Sequence, residues 1–239
     1  MDHQPNPSTT PTEVPLAFTC GGDRLAGSLH LPAGPGPFPA VVMAQGSGPA
    51  DRDSGGYFGP IRATFLDRGL ATFAFDKPGC GRSSGDWRRH GLSDRAEQIV
   101  AGLAAVRAHS AIDGERVGLW GHSQGGWLVQ MLAGRRLPLA FAVAGSAPTI
   151  TVREQIRYDI EHALIGLGHD DEAVEEALAF VTAVHGAADD GVPLDEVRRR
   201  LLDPAAGRPW FDDVPTADDA ADWEHLRRLI GEPFEPTAA

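Results

Sequence analysis

The sequence predicts an α/β protein of three layers, a mostly parallel sheet with helices on both faces. Two observations lead there. Short runs at residues 40–44, 70–75, 117–120 and 139–144 are apolar almost throughout, and each stops at a polar loop or a glycine-containing turn. Runs that lack alternation are what strands buried on both faces require. Between these runs lie segments with apolar residues at helical spacing, and strands that alternate with helices pair in parallel through crossovers.

The chain of 239 residues, 42% apolar and 23% charged, is long enough for one substantial core and a satellite subdomain. Its net charge of −12 is unevenly placed: residues 1–150 hold 13 basic and 12 acidic side chains, and residues 151–239 hold 8 and 21. An acidic second half disfavours nucleic acid and anionic membrane as partners. No apolar run is long enough to span a bilayer, and the N-terminus has no signal-peptide core. Cys20 and Cys80 form neither a CxxC pair nor a disulfide framework. A cytoplasmic protein without metal or cofactor is therefore expected.

Residues 1–13, rich in Pro, Thr, Ser and Asn, are expected to be a disordered tail. Residues 14–19 and 24–31 alternate around Gly21-Gly22-Asp23, the pattern of a hairpin. The run at 40–44 leads into Gln45-Gly46-Ser47-Gly48-Pro49-Ala50-Asp51-Arg52-Asp53, a polar loop at the carboxyl end of a strand, where open α/β sheets place their sites. Pro60 opens a helix through Ile61, Phe65 and Leu66 that Gly69 ends. After the strand at 70–75 comes Asp76-Lys77-Pro78-Gly79-Cys80-Gly81-Arg82-Ser83, whose glycines fit neither a dinucleotide nor a Walker spacing and read as a structural turn. Asp94 with Glu97 offers a helix cap, and Ile99, Leu103 and Val106 give that helix its buried stripe.

The next run is the centre of the chain. Val117-Gly118-Leu119-Trp120 breaks into Gly121-His122-Ser123-Gln124-Gly125-Gly126 and resumes as the apolar helix Trp127 to Leu132. Reversal within so few residues needs Gly121 and Gly125, where a Cβ would collide with neighbouring backbone. Ser123 is left at the tip, the arrangement of a Gly-x-Ser-x-Gly elbow that lifts a serine hydroxyl above a sheet. The competing interpretation is a tight turn whose serine caps the following helix. From Thr151 the texture becomes helical, with stripes at Ile156, Ile160, Leu164 and Leu167, at Val174, Ala177, Leu178 and Val181, at Leu194, Val197 and Leu201, and at Trp223, Leu226 and Ile230. The expected organisation is a core over 14–150, a helical subdomain over 151–231 and a tail over 232–239.

Three ordered features, the loop at 45–53, the Asp-x-x-Gly-x-Gly-x-Ser turn at 76–83 and the elbow, resemble the α/β-hydrolase superfamily. Within it the likeness is to the esterase and acyl-peptidase group of dienelactone-hydrolase and prolyl-oligopeptidase relatives. The resemblance covers about residues 24–148 and implies the three-layer α/β-hydrolase fold, with residues 151–231 as a helical cap domain. It also implies Ser123 as nucleophile and an oxyanion hole from the backbone N–H of Gln124 and of Ser47 or its neighbour. Gln45 stands where such relatives often carry histidine.

Such relatives place the triad acid and histidine after two further strands beyond the cap, whereas this sequence reaches Phe234-Glu235-Pro236 about where the first of them would begin. A C-terminally truncated fold with an incomplete triad is therefore expected. The later histidines, His162, His169, His185 and His225, fall in the cap-like helices and are read as surface or packing residues; His225 with Asp218 or Asp222 is the best placed of them. The expected function is a serine esterase acting on a carboxylic ester or related small acyl substrate. A catalytically inactive scaffold that binds a ligand or partner, and an acyltransferase, are the alternatives. A strand at 139–144 left without a neighbour implies a homo-oligomer or a complementing chain.

Overall fold

The computed structural model describes residues 10–232. The tails expected at 1–13 and 232–239 lie largely outside the described residues. Of the first, Thr12 and Glu13 already belong to the opening strand, because each pairs with a partner in the next one.

The described residues divide into two compact units, one of residues 10–87 and 92–149 and one of residues 88–91 and 150–232. The first is built on a six-stranded sheet: β1 (Thr12–Cys20), β2 (Asp23–Leu31), β3 (Phe38–Ala44), β4 (Ala71–Phe75), β5 (Ile112–His122) and β6 (Ala142–Gly145). Their order across the sheet is β1-β2-β4-β3-β5-β6. β1 and β2 form the predicted hairpin, and its two-residue turn at Gly21 and Gly22 has φ of 58° and 89°, a conformation that costs a residue with a Cβ 1–2 kcal/mol, roughly. β2 joins β4 antiparallel, whereas β3, β4, β5 and β6 pair in parallel. The sheet is therefore mixed, with the parallel part formed by the strands that the apolar runs predicted.

Three helices connect those strands: α1 (Phe58–Asp67), α2 (Leu92–Arg107) and α3 (Gln124–Gly134). Residues 40–43 of β3 are completely buried, and β4 is buried along its whole length. α2 starts at Leu92, two residues before the Asp94 cap that the sequence suggests. Its face of Leu92, Ala96, Ile99, Leu103 and Val106 is buried, each pair three or four residues apart.

The buried strand predicted over 139–144 is corrected by the structure. β6 covers only residues 142–145 and is exposed, with Val143 at 44%. The cause is its place in the sheet: among the described residues β6 is last in the order and pairs with β5 alone, so its apolar composition reflects a sheet margin and not an interior.

The second unit is helical: α4 (Val152–Leu167), α5 (Asp171–Asp189), α6 (Leu194–Val197), α7 (Asp203–Ala205) and α8 (Ala220–Gly231), with a π-helical stretch at Arg198–Leu202 between α6 and α7. Thr151 and Glu154 cap α4 reciprocally, Asp170 caps α5 through Ala173 N–H, and Asp219 caps α8 through two N–H groups. Two of the predicted stripes, those of α4 and α5, meet in a core of Ile160, Leu164, Val174, Ala177, Leu178 and Val181, which Ala205, Trp210 and Val214 complete. Leu167 departs from its stripe and is 64% exposed.

Candidate active site

The first unit's loops at the carboxyl ends of β3, β4 and β5 converge around Ser123. The serine sits between β5 and α3 with φ 53° and ψ −119°, a backbone conformation that L residues rarely adopt and that surrounding structure must impose. What imposes it is contact with glycine backbone. A Cβ on Gly121 would stand 2.2 Å from Gly125 O, and one on Gly125 would stand 2.3 Å from Ala44 O. The chain can turn there only because both side chains are absent.

Ser123 makes no side-chain cap bond to α3, which removes the interpretation of this serine as a helix cap. Its backbone serves the turn instead: Ser123 N–H donates to Gly145 O at 3.1 Å, and Ser123 O accepts from Gly126 N–H at 2.7 Å. Among the described residues the Ser123 hydroxyl has no hydrogen-bond partner. Gln124, the first residue of α3, is buried, and its N–H is left over by the turn and loop hydrogen bonds at a helix end that favours negative charge.

The loop after β3 lies against the serine, with the Cβ position of Gly46 3.5 Å from Ser123 Cβ. Ser47 is exposed, and its N–H too is unused by turn or loop bonds. Together with His122, Tyr57 and Cys80 it lines an open depression of about 610 Å³, to whose wall Ser123 and Gln124 do not contribute. The His122 ring packs on Tyr57, centroids 4.7 Å apart.

What holds that loop is buried polar chemistry that local sequence patterns do not announce. Gln45 is completely buried; its Nε2 donates to Phe75 O at 2.5 Å and to Asp51 O at 3.2 Å. Lys77, 1% exposed, donates from Nζ to Gly46 O at 2.5 Å and to Gly48 O at 2.6 Å. Burial, reinforced by the charge of Arg95, draws Lys77 from 10.5 down to about 6, while the two carbonyl acceptors favour the ammonium form. Burial likewise draws Arg95 down to about 10.

The turn after β4 is tied to the same loop. Asp76 accepts from Arg52 N–H at 2.7 Å, from Arg52 Nε at 2.9 Å and Nη2 at 2.5 Å, and from Arg82 N–H at 2.8 Å. Burial pushes the Asp76 carboxyl up, but the Arg52 bonds and the two backbone donors outweigh it and hold the group below its ordinary value. Ser83 closes the turn by donating to Asp76 O at 2.7 Å and accepting from Ala26 N–H at 2.9 Å. Residues 76–83 are thus the structural turn that their spacing predicted. Gln45, Arg52 and Lys77 are the supports that sequence reasoning did not assign, and an ionisable pair directly after a buried strand, Asp76-Lys77, was the available signal.

Three of the four later histidines are engaged within the helical unit. His169 Nε2 lies 2.8 Å from Asp213 Oδ2, His162 Nδ1 lies 2.9 Å from Tyr158 O, and His225 Nδ1 lies 3.1 Å from Arg88 O.

The profile of the Prolyl oligopeptidase family matches residues 57–199, more than half of the chain. The chain belongs to that family. The match runs from α1 through the elbow into the helical unit, and family and fold together place the chain among the α/β-hydrolases. Esterase FrsA of Escherichia coli O139:H28 (strain E24377A / ETEC) is 30% identical over 191 residues, and Esterase FrsA of Escherichia coli (strain K12 / DH10B) is 33% identical over 191 residues. Each alignment covers 78% of this chain, and the chain spans 42% of the length of these curated relatives. Among solved structures, the α/β hydrolase GrgF from Penicillium sp. sh18 aligns over 92% of this chain and 72% of its own, with TM-score 0.53 and 18% identity. The Pyrococcus furiosus esterase Pf2001 aligns over 63% of this chain and 55% of its own, with TM-score 0.54 and 19% identity.

Proposed function

We propose that this member of the family is a serine hydrolase that cleaves a carboxylic ester or related small acyl compound through Ser123. The observation that carries this reading is the positive φ of Ser123 with its hydroxyl uncommitted, because strain at a functional side chain persists only where neighbouring structure fixes it. The name shared by the curated relatives, esterase, points the same way. Two free thiols, Cys20 and Cys80, fit a reducing cytoplasm.

In this reading Ser123 Oγ attacks the acyl carbon and yields its proton to a base. The carbonyl oxygen becomes an oxyanion between the N–H of Gln124 and the N–H of Ser47. Collapse expels the protonated alcohol and leaves an acyl-serine, which water cleaves to the acid and free serine. One oxyanion donor is worth roughly 10²–10³ in rate, so the bracing of the loop by Gln45 and Lys77 bears directly on turnover.

A fluorophosphonate probe reports activation of the serine alone. Labelling of the purified protein that disappears in Ser123→Ala supports the reading; absence of labelling would favour a scaffold that binds without turnover. Product analysis with a competing alcohol separates hydrolysis from acyl transfer.

A further inference from the structure

The helical unit contains a cavity of about 280 Å³, lined mainly by apolar residues together with Asp159, His185 and Thr216. The apolar part of its wall includes Ile156, Phe180, Val181 and Leu226. Trp223 also faces it and has its donor occupied, since Nε1 donates to Val192 O at 2.9 Å. His185 is the buried one of these three polar residues, Asp159 and Thr216 being exposed. It follows Val174, Leu178 and Val181 on the buried stripe of α5, where helical spacing calls for an aliphatic residue. It is 4% exposed, and among the described residues its ring has no hydrogen-bond partner. A ring at such a position has no protein bond to offset what its desolvation costs.

We propose that this cavity is a small-molecule binding site for a neutral, mainly apolar compound bearing a single hydroxyl, such as a bicyclic aryl alcohol, with that hydroxyl bonded to the ring of His185. The size fits, because an apolar cavity of about 150 Å³ already admits one benzene ring. The polarity fits as well. Burial, with the charge of Arg153, draws His185 down to about 4, against the opposing influence of Asp189. The ring is accordingly neutral at pH 7 and presents one donor and one acceptor. Charge selects against anions: Asp159 is among the lining residues, and the surrounding sequence, residues 151–239, holds 21 acidic against 8 basic side chains. The site is assembled wholly within the helical unit and does not depend on the proposed role of Ser123.

Calorimetric titration of the full chain with 2-naphthol tests the proposal. One saturable site is expected, with the His185 ring resonances shifting on binding. His185→Phe, which keeps the ring volume and removes both nitrogens, should weaken binding about tenfold, the loss of one hydrogen bond. Val181→Trp should fill the space and abolish binding; should that variant not fold, Leu226→Trp serves the same purpose. Ser123→Ala should bind as tightly as the wild type. No saturable binding, equal affinity in His185→Phe, or loss of binding in Ser123→Ala would each overturn the assignment. Binding of 2-naphthol that persists in both a folded cavity-filling variant and His185→Phe would do the same.

Discussion

Replacing Asp76 by asparagine should be among the most damaging conservative changes in this protein. Asp76 is 2% exposed in its side chain and faces Arg52, which is 17% exposed. Its two oxygens accept four bonds, three from Arg52 and one from Arg82 N–H. The amide of asparagine would turn a donor toward one of those donors and leave the guanidinium with only the weaker charges of Asp53 and Glu13. Breaking a buried pair by removing one partner typically costs about 3–5 kcal/mol, a large fraction of a domain's stability of roughly 5–15 kcal/mol. Urea unfolding of wild type, Asp76→Asn, Arg52→Met and the double variant measures it, and the cycle isolates the coupling. Because two apolar residues can replace an ion pair at little cost, an Asp76→Leu, Arg52→Met protein should be more stable than the sum of its single variants implies. The sign with pH follows from the lowered carboxyl of Asp76. Its stabilisation is complete above the ordinary carboxylate range and is lost as pH falls through the native-state value, so the gap between wild type and Asp76→Asn should narrow in acid. Single losses below about 1 kcal/mol with no coupling would refute the view that this pair ties the two loops together.

Three further expectations follow from the same contacts. Gly125→Ala would place a Cβ 2.3 Å from Ala44 O, so fluorophosphonate labelling should vanish and stability should fall by about 1–3 kcal/mol; a fully labelled variant would sink the elbow reading. Lys77 is drawn from 10.5 to about 6, so between those values the unfolded chain holds a proton that the native chain lacks, and stability should rise by about 1.4 kcal/mol per pH unit from this group. Lys77→Met should remove that slope between pH 7 and 9, and an unchanged slope in urea titrations would show the lysine to be charged in the native state. The exposed strand β6, with Val143 at 44%, should support self-association through the side that pairs with no strand among the described residues; light scattering over a concentration series should find Val143→Lys more monomeric than wild type, and identical monomers would count against it.

How much was legible in the sequence depended on the range of the interaction. The hairpin around Gly21 and Gly22, the strands β3 and β4 and the reversal at Ser123 are set by neighbours within a few residues, and composition shows them directly. The start of α2 at Leu92 and the π-helical stretch at Arg198–Leu202 depend on packing that no cap motif signals. Arg52 meets Asp76 across 24 positions, and Lys77 meets Gly46 across 31. Nothing in either local pattern specifies the other. The apolar run at 139–144 misled for a related reason: it looks like an interior strand, but interior or margin is a property of sheet order, which is decided by the whole chain. His185 fell on a stripe whose other members were read correctly as core, and only the absence of a ring partner distinguishes it.

The elbow and its supports act as one mechanical body. Gly125 stands so close to Ala44 O that any outward shift of Ser123 must displace the end of β3, and therefore Gln45 and Gly46. Gln45 is in turn pinned to Phe75 O at the end of β4, where Asp76 grips Arg52 seven residues further along the first loop than Gln45. Side chains from the ends of β3 and β4, with Arg52 from the loop, close this circuit and hold the backbone beside Ser123, to which the proposed donors, the N–H groups of Ser47 and Gln124, belong. Preorganised donors spend no reorganisation energy when charge develops on a reacting oxygen. A fold that needed only a tight turn at Ser123 would have no reason to bury Gln45, Asp76 and Lys77 around it, against the desolvation that each of them opposes.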